Sequence, residues 1–249
     1  MANITAEDET LVQTLVEYYT ENVSLIRGFL GSFDSHFLEA IREGGPLSEL
    51  VHSRKLRMKD PEHLRGKLLR KLDDARTEEK AFDISKDDLF LKINDLGGYR
   101  VLHLHTRQAA RIHEVLLEVI ERANFDLFEK PFAHIWDEEA RSFFESIGIR
   151  AEVNPRLYSS VHYVIRARSP KHAVTCEIQV RTLADEIWGE IDHKINYPDA
   201  HPSVACKEQI KVLARVASSC SRLVDSIMVS HDEWGSRSSA ASSSRPVGG

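Results

Sequence analysis

Cys176-Glu-Ile-Gln-Val-Arg-Thr182 is the stretch that decides the fold. Side chains of a strand alternate between faces, so Ile178 and Val180 fall on one side and Glu177, Gln179 and Arg181 on the other. A glutamate, a glutamine and an arginine in line are costly against an apolar core, so that face must meet a polar cleft. From Thr182 the period turns helical, with Leu183, Ile187, Ile191 and Ile195 four apart, and Pro198 stops the helix. Upstream, Val161–Ala167 and Ala173–Val180 read as two strands, with Ser169-Pro170-Lys171 as a hairpin turn between them.

Further out, residues 6–30 read as a helix through Leu11, Leu15, Val16, Tyr19, Val23 and Ile26, with Gly28 and Gly31 marking its end. A second helix is expected over Ser35–Glu43, before Gly44-Gly45-Pro46. Asp60-Pro61 reads as an N-cap and first helical residue, followed by an amphipathic helix through Leu64, Leu68, Leu69 and Leu72. Tyr99–His105 has a strand-like apolar core, Ala109–Arg122 reads as a helix, Ala140–Ser146 as a short helix and Ile149–Val153 as a strand. A last helix covers Ser203–Met228, and the Ser-rich end beyond Glu233 is expected to be a disordered tail. Strands mixed with helices imply an α/β (α+β) domain on one mixed sheet.

The 249 residues, 42% hydrophobic and 29% charged, suffice for one catalytic domain with a core. A net charge of −6 does not advertise nucleic-acid binding over the whole surface, so any polyanion site must be a local patch. Three cysteines without CxxC spacing suggest a reducing compartment. The acidic start Met1-Ala-Asn-Ile-Thr-Ala-Glu-Asp-Glu9 has no signal-peptide pattern and no apolar run reaches bilayer length, so a cytoplasmic protein without a membrane is expected.

Four clusters carry candidate chemistry. Arg54, Lys55, Arg57, Lys59, Arg65, Lys67, Arg70 and Lys71 form a cationic patch able to hold a polyphosphate. A solvated helix face paired with Glu62, Asp74 and Glu78 explains the same residues. Asp95-Leu-Gly-Gly-Tyr-Arg100 places a carboxylate in a glycine turn before a strand, suited to Mg²⁺, although an Asx-turn needs the same residues. Tyr158-Ser-Ser-Val-His162 offers a flat ring for a base and a donor for a phosphate or hydroxyl; a sheet-edge aromatic and a structural histidine are the bland alternatives. Glu177 brought across space to Asp95 would complete a divalent-metal site, or a metal ligand with a general base. Trp188 and His193 add little by themselves. HExxH, P-loop, GxGxxG and GxSxG patterns are absent.

Together the clusters resemble the synthetase domain of the RelA/SpoT family, and the size resembles a small alarmone synthetase. The resemblance runs from Arg54 to Tyr197. It rests on Arg57-Met-Lys59-Asp-Pro-Glu-His-Leu-Arg-Gly-Lys67, Asp95-Leu-Gly-Gly-Tyr-Arg100, Tyr158-x-Ser-x-His162, and Glu-Ile-Gln-Val-Arg-Thr182 with Trp188, His193 and Tyr197. It implies a nucleotidyltransferase-like synthetase domain over 46–200, a helical N-terminal extension over 1–45, a C-terminal helix over 201–232 and the tail over 233–249. It implies transfer of the β,γ-pyrophosphate of ATP to the 3′-hydroxyl of GDP or GTP, giving (p)ppGpp and AMP. Arg57, Lys59 and Lys67 would hold the ATP phosphates, Arg181 would contact donor or phosphates, and Asp95 and Glu177 would bind Mg²⁺. Glu177 would also deprotonate the hydroxyl, Tyr158 would stack on the acceptor's base and His162 would lie by its phosphates. Leu157, His63 and Asp192 depart from the family's usual glycine, serine and glutamate. A different acceptor (a tRNA 3′ end or an adenosine nucleotide) and an inactive nucleotide-binding protein are the alternatives. A homo-oligomer, such as a tetramer, is a further implication.

Overall fold

The computed structural model describes residues 4–135, 138–154, 159–168, 173–196 and 203–243. In chain order these form α1 (Ala6–Ile41), β1 (Val51–Met58), α2 (Pro61–Thr77), α3 (Leu89–Lys92), β2 (Gly97–His103), α4 (Gln108–Arg122) and β3 (Phe125–Leu127). They continue as β4 (Phe132–Ile135), α5 (Glu139–Ser146), β5 (Arg150–Val153), β6 (Ser160–Ala167), β7 (Thr175–Thr182), α6 (Leu183–Asn196) and α7 (Val204–Ser243). The strands build one mixed sheet in the order β1-β2-β7-β6-β4-β5, with β3 paired to β6 off that path. The pairs β2–β7 and β4–β5 are parallel, and the remaining pairs are antiparallel. A mixed sheet flanked by helices is therefore the fold class, as the alternation around residues 161–182 implied.

Three expectations about elements change. The glycines at 28 and 31 do not end α1, which absorbs the separate helix expected over Ser35–Glu43. Each helical glycine costs about 1 kcal/mol. Burial of Phe29, Leu30, Phe33 and Phe37 on the same helix outweighs that at roughly 1.5–3 kcal/mol apiece. The basic segment before Lys59, for which no element was assigned, is the edge strand β1. Finally, α7 runs to Ser243 instead of giving way to a tail at 233. Extending a helix that is already nucleated adds one hydrogen bond per residue fixed, so a polar Ala- and Ser-rich stretch can continue it. The hairpin turn at 169–171, Leu157, Tyr158, Tyr197 and Pro198 lie outside the described residues.

The core lies on one face of the sheet. Tyr99, Val101, Val161, Tyr163, Ile165, Ile178 and Val180 are buried there in one cluster with α1 and α4 residues. Phe33 and Phe37 meet the Tyr99 ring edge-on, at centroid distances of 5.0 and 5.4 Å. The Tyr99 hydroxyl donates to Asp34 on α1 at 2.6 Å, and Arg54 of β1 pairs with the same carboxylate at 2.7 Å. On the other side α6 crosses β2 and β7 and packs Trp188 against Ile210, Ala214 and Ala217 of α7.

Gly97 explains the paired glycines better than the turn expected of them. Neither Gly97 nor Gly98 has a positive φ. A Cβ on Gly97 would sit 2.4 Å from Ile26 Cγ2 and 2.9 Å from Cys176 Sγ, whereas one on Gly98 would meet nothing nearer than 3.9 Å. Gly97 is thus the point where α1 touches the sheet. Overpacking of this kind costs about 1–3 kcal/mol, so Gly97→Ala should lower the urea midpoint by that equivalent and Gly98→Ala should leave it almost unchanged.

Candidate active site

The face of the sheet opposite the core is polar, and pairing register sets its order. Glu177 lies opposite Gly98 on one side and Val164 on the other, and Gln179 lies opposite Arg100 and His162. His162 in turn opposes Phe132, and Arg57 opposes Gly98. One face therefore gathers Arg57, Arg100, Glu177, Gln179, Arg181 and His162 from four strands.

These side chains bond to one another. His162 Nδ1 and Glu177 Oε1 are 2.6 Å apart, and Gln179 Nε2 donates to Glu177 Oε2 at 2.6 Å. Arg181 donates to Gln179 Oε1 and pairs with Glu186 of α6 at 3.2 Å. Arg100 donates to Glu186 at 2.8 Å and also reaches Glu190. Room for the Arg181 guanidinium comes from Gly189, where a Cβ would lie 2.6 Å from Nη1. Burial opposes ionisation of Glu177, but the neighbouring His162 and its hydrogen bonds hold the carboxyl below its ordinary range.

Asp95 sits in the turn before β2, with Lys59 Nζ on Oδ2 and Lys67 Nζ on Oδ1, each at 2.7 Å. The fold fixes both lysines. Lys59 directly follows β1; its N–H donates to Leu96 O at 2.9 Å and its carbonyl accepts from Tyr19 of α1 at 2.6 Å. Lys67 projects from α2, whose start is capped by Asp60 with Pro61 in the first turn. Burial would raise the Asp95 carboxyl, but the ammonium charges of Lys67 and Lys59 outweigh it and hold it at about 2. Burial also pushes the Lys59 ammonium down, and there Asp95 only partly compensates.

The structure thus sorts the basic cluster. Lys59 and Lys67 turn to Asp95, while Arg57 lines a cavity of about 290 Å³ with Arg100, Gln179, Arg181, Asp192 and His193. Arg54 and Arg65 instead tie the sheet and α2 to Asp34 and Glu9 of α1, and Lys71 borders a separate hollow beside Asp83. Asp95 and Glu177 influence each other electrostatically across the site. They lie at the amino ends of β2 and β7, away from the carboxyl edge where open α/β sheets usually bind ligands. His162 lies beside Glu177, and Tyr158 is outside the described residues.

Two residues at the site carried no usable signal in the sequence. Phe132 stacks on His162 with centroids 5.1 Å apart, and His134 meets that ring edge-on at 4.9 Å. Both come from β4, in a stretch with no clear period, and only the pairing of β4 with β6 brings them to the site. Burial and the neighbouring His162 push the His134 imidazole below its usual pKa. Among the described residues no group of three or more His, Cys, Asp or Glu could hold a metal alone. Two carboxylates, Asp95 and Glu177, are a donor set compatible with Mg²⁺, which commonly takes one or two carboxylates and completes its shell with water and substrate phosphates. Among the described residues, no helix is long and apolar enough to cross a membrane.

Asp95 links the site to stability. Its pKa is depressed on folding, so its contribution is present above pH ~4 and fades as the pH falls through about 2. Asp95→Asn leaves the buried Lys59 without its carboxylate and should cost about 2–4 kcal/mol at pH 7. In urea titrations the gap between wild type and variant should narrow as pH is lowered from 5 toward 2.

Residues 56–202 match the family model described as "Region found in RelA / SpoT proteins". No curated protein matches the chain. Small alarmone synthetase 2 from Bacillus subtilis is similar in fold, with a TM-score of 0.57 at 18% identity over 86% of this chain and 98% of that one. Small alarmone synthetase 1 from Bacillus subtilis, bound to its product pppGpp, gives 0.53 at 17% identity over 88% and 97%. A GTP pyrophosphokinase family protein from Streptococcus pneumoniae gives 0.52 at 17% identity over 87% and 92%.

Proposed function

The chain belongs to the family of the region found in RelA / SpoT proteins, and on that premise we propose that it is a pyrophosphokinase. It transfers the β,γ-pyrophosphate of ATP to the 3′-hydroxyl of GDP or GTP and releases AMP. The observation that carries this reading is a polar site with two carboxylates, Glu177 on the sheet face and Asp95 in the turn before β2, the first bonded to His162 and the second to Lys59 and Lys67. Acting on a triphosphate needs positive charge for the phosphates, oxygen ligands for a divalent ion and a base for the hydroxyl.

Arg57, Lys59 and Lys67 take the triphosphate. In doing so the lysines exchange Asp95 for phosphate oxygens and free that carboxylate. Asp95 and Glu177 are the residues that would hold Mg²⁺, which when bound would supply charge neutralisation on the phosphates. Arg181 and Arg100, anchored on Glu186, line the donor cavity. His162 positions Glu177 and keeps it ionised, the form that accepts the 3′-hydroxyl proton as that oxygen attacks the β-phosphorus. Tyr158, two residues before Ser160, is proposed to stack on the acceptor's base.

The test is transfer from γ-labelled ATP with Mg²⁺ to GDP, GTP, GMP, ATP and deacylated tRNA, each offered separately. Label in a guanosine nucleotide with release of AMP is expected, and Glu177→Gln should lower the rate by about 10²-fold or more. Label only in tRNA or an adenosine nucleotide would reassign the acceptor, and no transfer to any acceptor would overturn the enzymatic reading.

The proposal includes a homo-oligomer. Val212, Val216, Leu223 and Ile227 lie at helical spacing and exposed on α7, and Ile187 and Ile191 are exposed on α6. Leu223→Asp with Ile227→Asp should reduce the mass measured by light scattering to that of one chain; an unchanged mass would place the contact elsewhere.

A further inference from the structure

The bonds that hold Glu177 end on an imidazole, and an imidazole turns easily. His162 is buried, and its Nδ1 lies 2.6 Å from Glu177 Oε1. An ionised carboxylate only accepts, so Nδ1 carries the proton between them. Rotation about the Cβ–Cγ bond of a histidine has a broad, roughly two-fold profile, so the backbone and side-chain torsions leave the plane of the ring loosely set. Gln179, opposite His162 on β7, spends its amide nitrogen on Glu177 Oε2 and its oxygen on Arg181. The restraint on the ring has to come from the other neighbour of β6.

That neighbour is β4. Phe132 lies directly opposite His162 in the antiparallel β4–β6 pair, and the two rings stack with centroids 5.1 Å apart and planes 16° apart. His134, two residues on and so on the same face, meets the imidazole at 79° with centroids 4.9 Å apart. Phe132 and His134 close the triangle at 90° and 5.0 Å. Offset-stacked and edge-to-face contacts are the arrangements that aromatic pairs favour. The stack confines the imidazole to one plane. Within that plane, the bond to Glu177 selects the orientation that presents Nδ1.

We propose that Phe132, with His134 beside it, is a positioning residue for the reaction: the two rings fix the plane of His162, and through His162 the direction in which the Glu177 carboxylate faces the acceptor hydroxyl. The role rests on the reading of Glu177 as the base. A base works only within hydrogen-bond reach of the proton it takes, and small misplacements are costly in rate. One aromatic pair is worth enough to change a rate by about three- to tenfold. Groups that hold a reacting side chain need only lock its rotamer, without touching the substrate.

The test uses the full chain as wild type, Phe132→Leu, Phe132→Tyr and His162→Gln, with folding of each verified by thermal unfolding. NMR of ¹⁵N-histidine-labelled protein without nucleotide comes first. Wild type should show a slowly exchanging imidazole N–H that is absent from His162→Gln. Phe132→Leu should broaden or remove it, and Phe132→Tyr, which keeps the ring, should retain it. In the transfer assay Phe132→Leu should lower kcat about three- to tenfold with KM for ATP and acceptor unchanged, while Phe132→Tyr keeps the rate. Added to Glu177→Gln, Phe132→Leu should lower the rate no further, whereas a merely structural loss would add in full. The proposal is overturned if wild type lacks the His162 N–H, if Phe132→Leu leaves it unchanged, if only KM changes, or if the losses add. A wild type that transfers nothing would defeat the proposed function and this role with it; an active wild type with a normal rate in Phe132→Leu would defeat this role alone.

Discussion

A central strand can carry a glutamate, a glutamine and an arginine side by side only if every one of them is bonded, and β7 meets that condition through its neighbours on both sides. His162 of β6 secures Glu177, Gln179 bridges Glu177 to Arg181, and Glu186 of α6 takes the far end of Arg181 together with Arg100 of β2. The cost of leaving any of these groups unpaired in a largely buried setting is what fixes the order of the strands around β7 and the docking of α6. The same row is the floor of the candidate active site. Structure and chemistry therefore rest on one set of hydrogen bonds.

The opposite face is where the fold gains its stability, and α1 transmits that gain to the site. It meets the sheet at Gly97, receives the Tyr99 hydroxyl and the Arg54 guanidinium on Asp34, and holds the Lys59 carbonyl with Tyr19. Those contacts set where β1 ends and β2 begins, which is where Lys59 and Asp95 meet. Asp95 holds both lysines there, so two ammonium groups and one carboxylate meet at the end of β1.

Much of this was legible from residues 176–182, because strand alternation forces the polar row onto one side whatever the neighbours are. The helix after Thr182 was legible too, but not its orientation: Ile187 and Ile191 face outward, while Asp185, Glu186 and Trp188 are buried. Acidic residues ordinarily mark a solvated face, and only the presence of Arg100 and Arg181 beneath the helix reverses that. The cationic cluster could be read as a patch but not divided, because Asp34 and Glu9, which draw off Arg54 and Arg65, lie far away in the chain. Phe132 and His134 were invisible for the same reason. Their short strand has no period of its own, and its place is set by pairing with β6.

The most direct test of the central assignment is a crystal structure with Mg²⁺ and a non-hydrolysable ATP analogue. The expected result is Lys59 and Lys67 on phosphate oxygens, with the ion between Asp95 and Glu177. A nucleotide bound elsewhere, with both lysines still on Asp95, would contradict it.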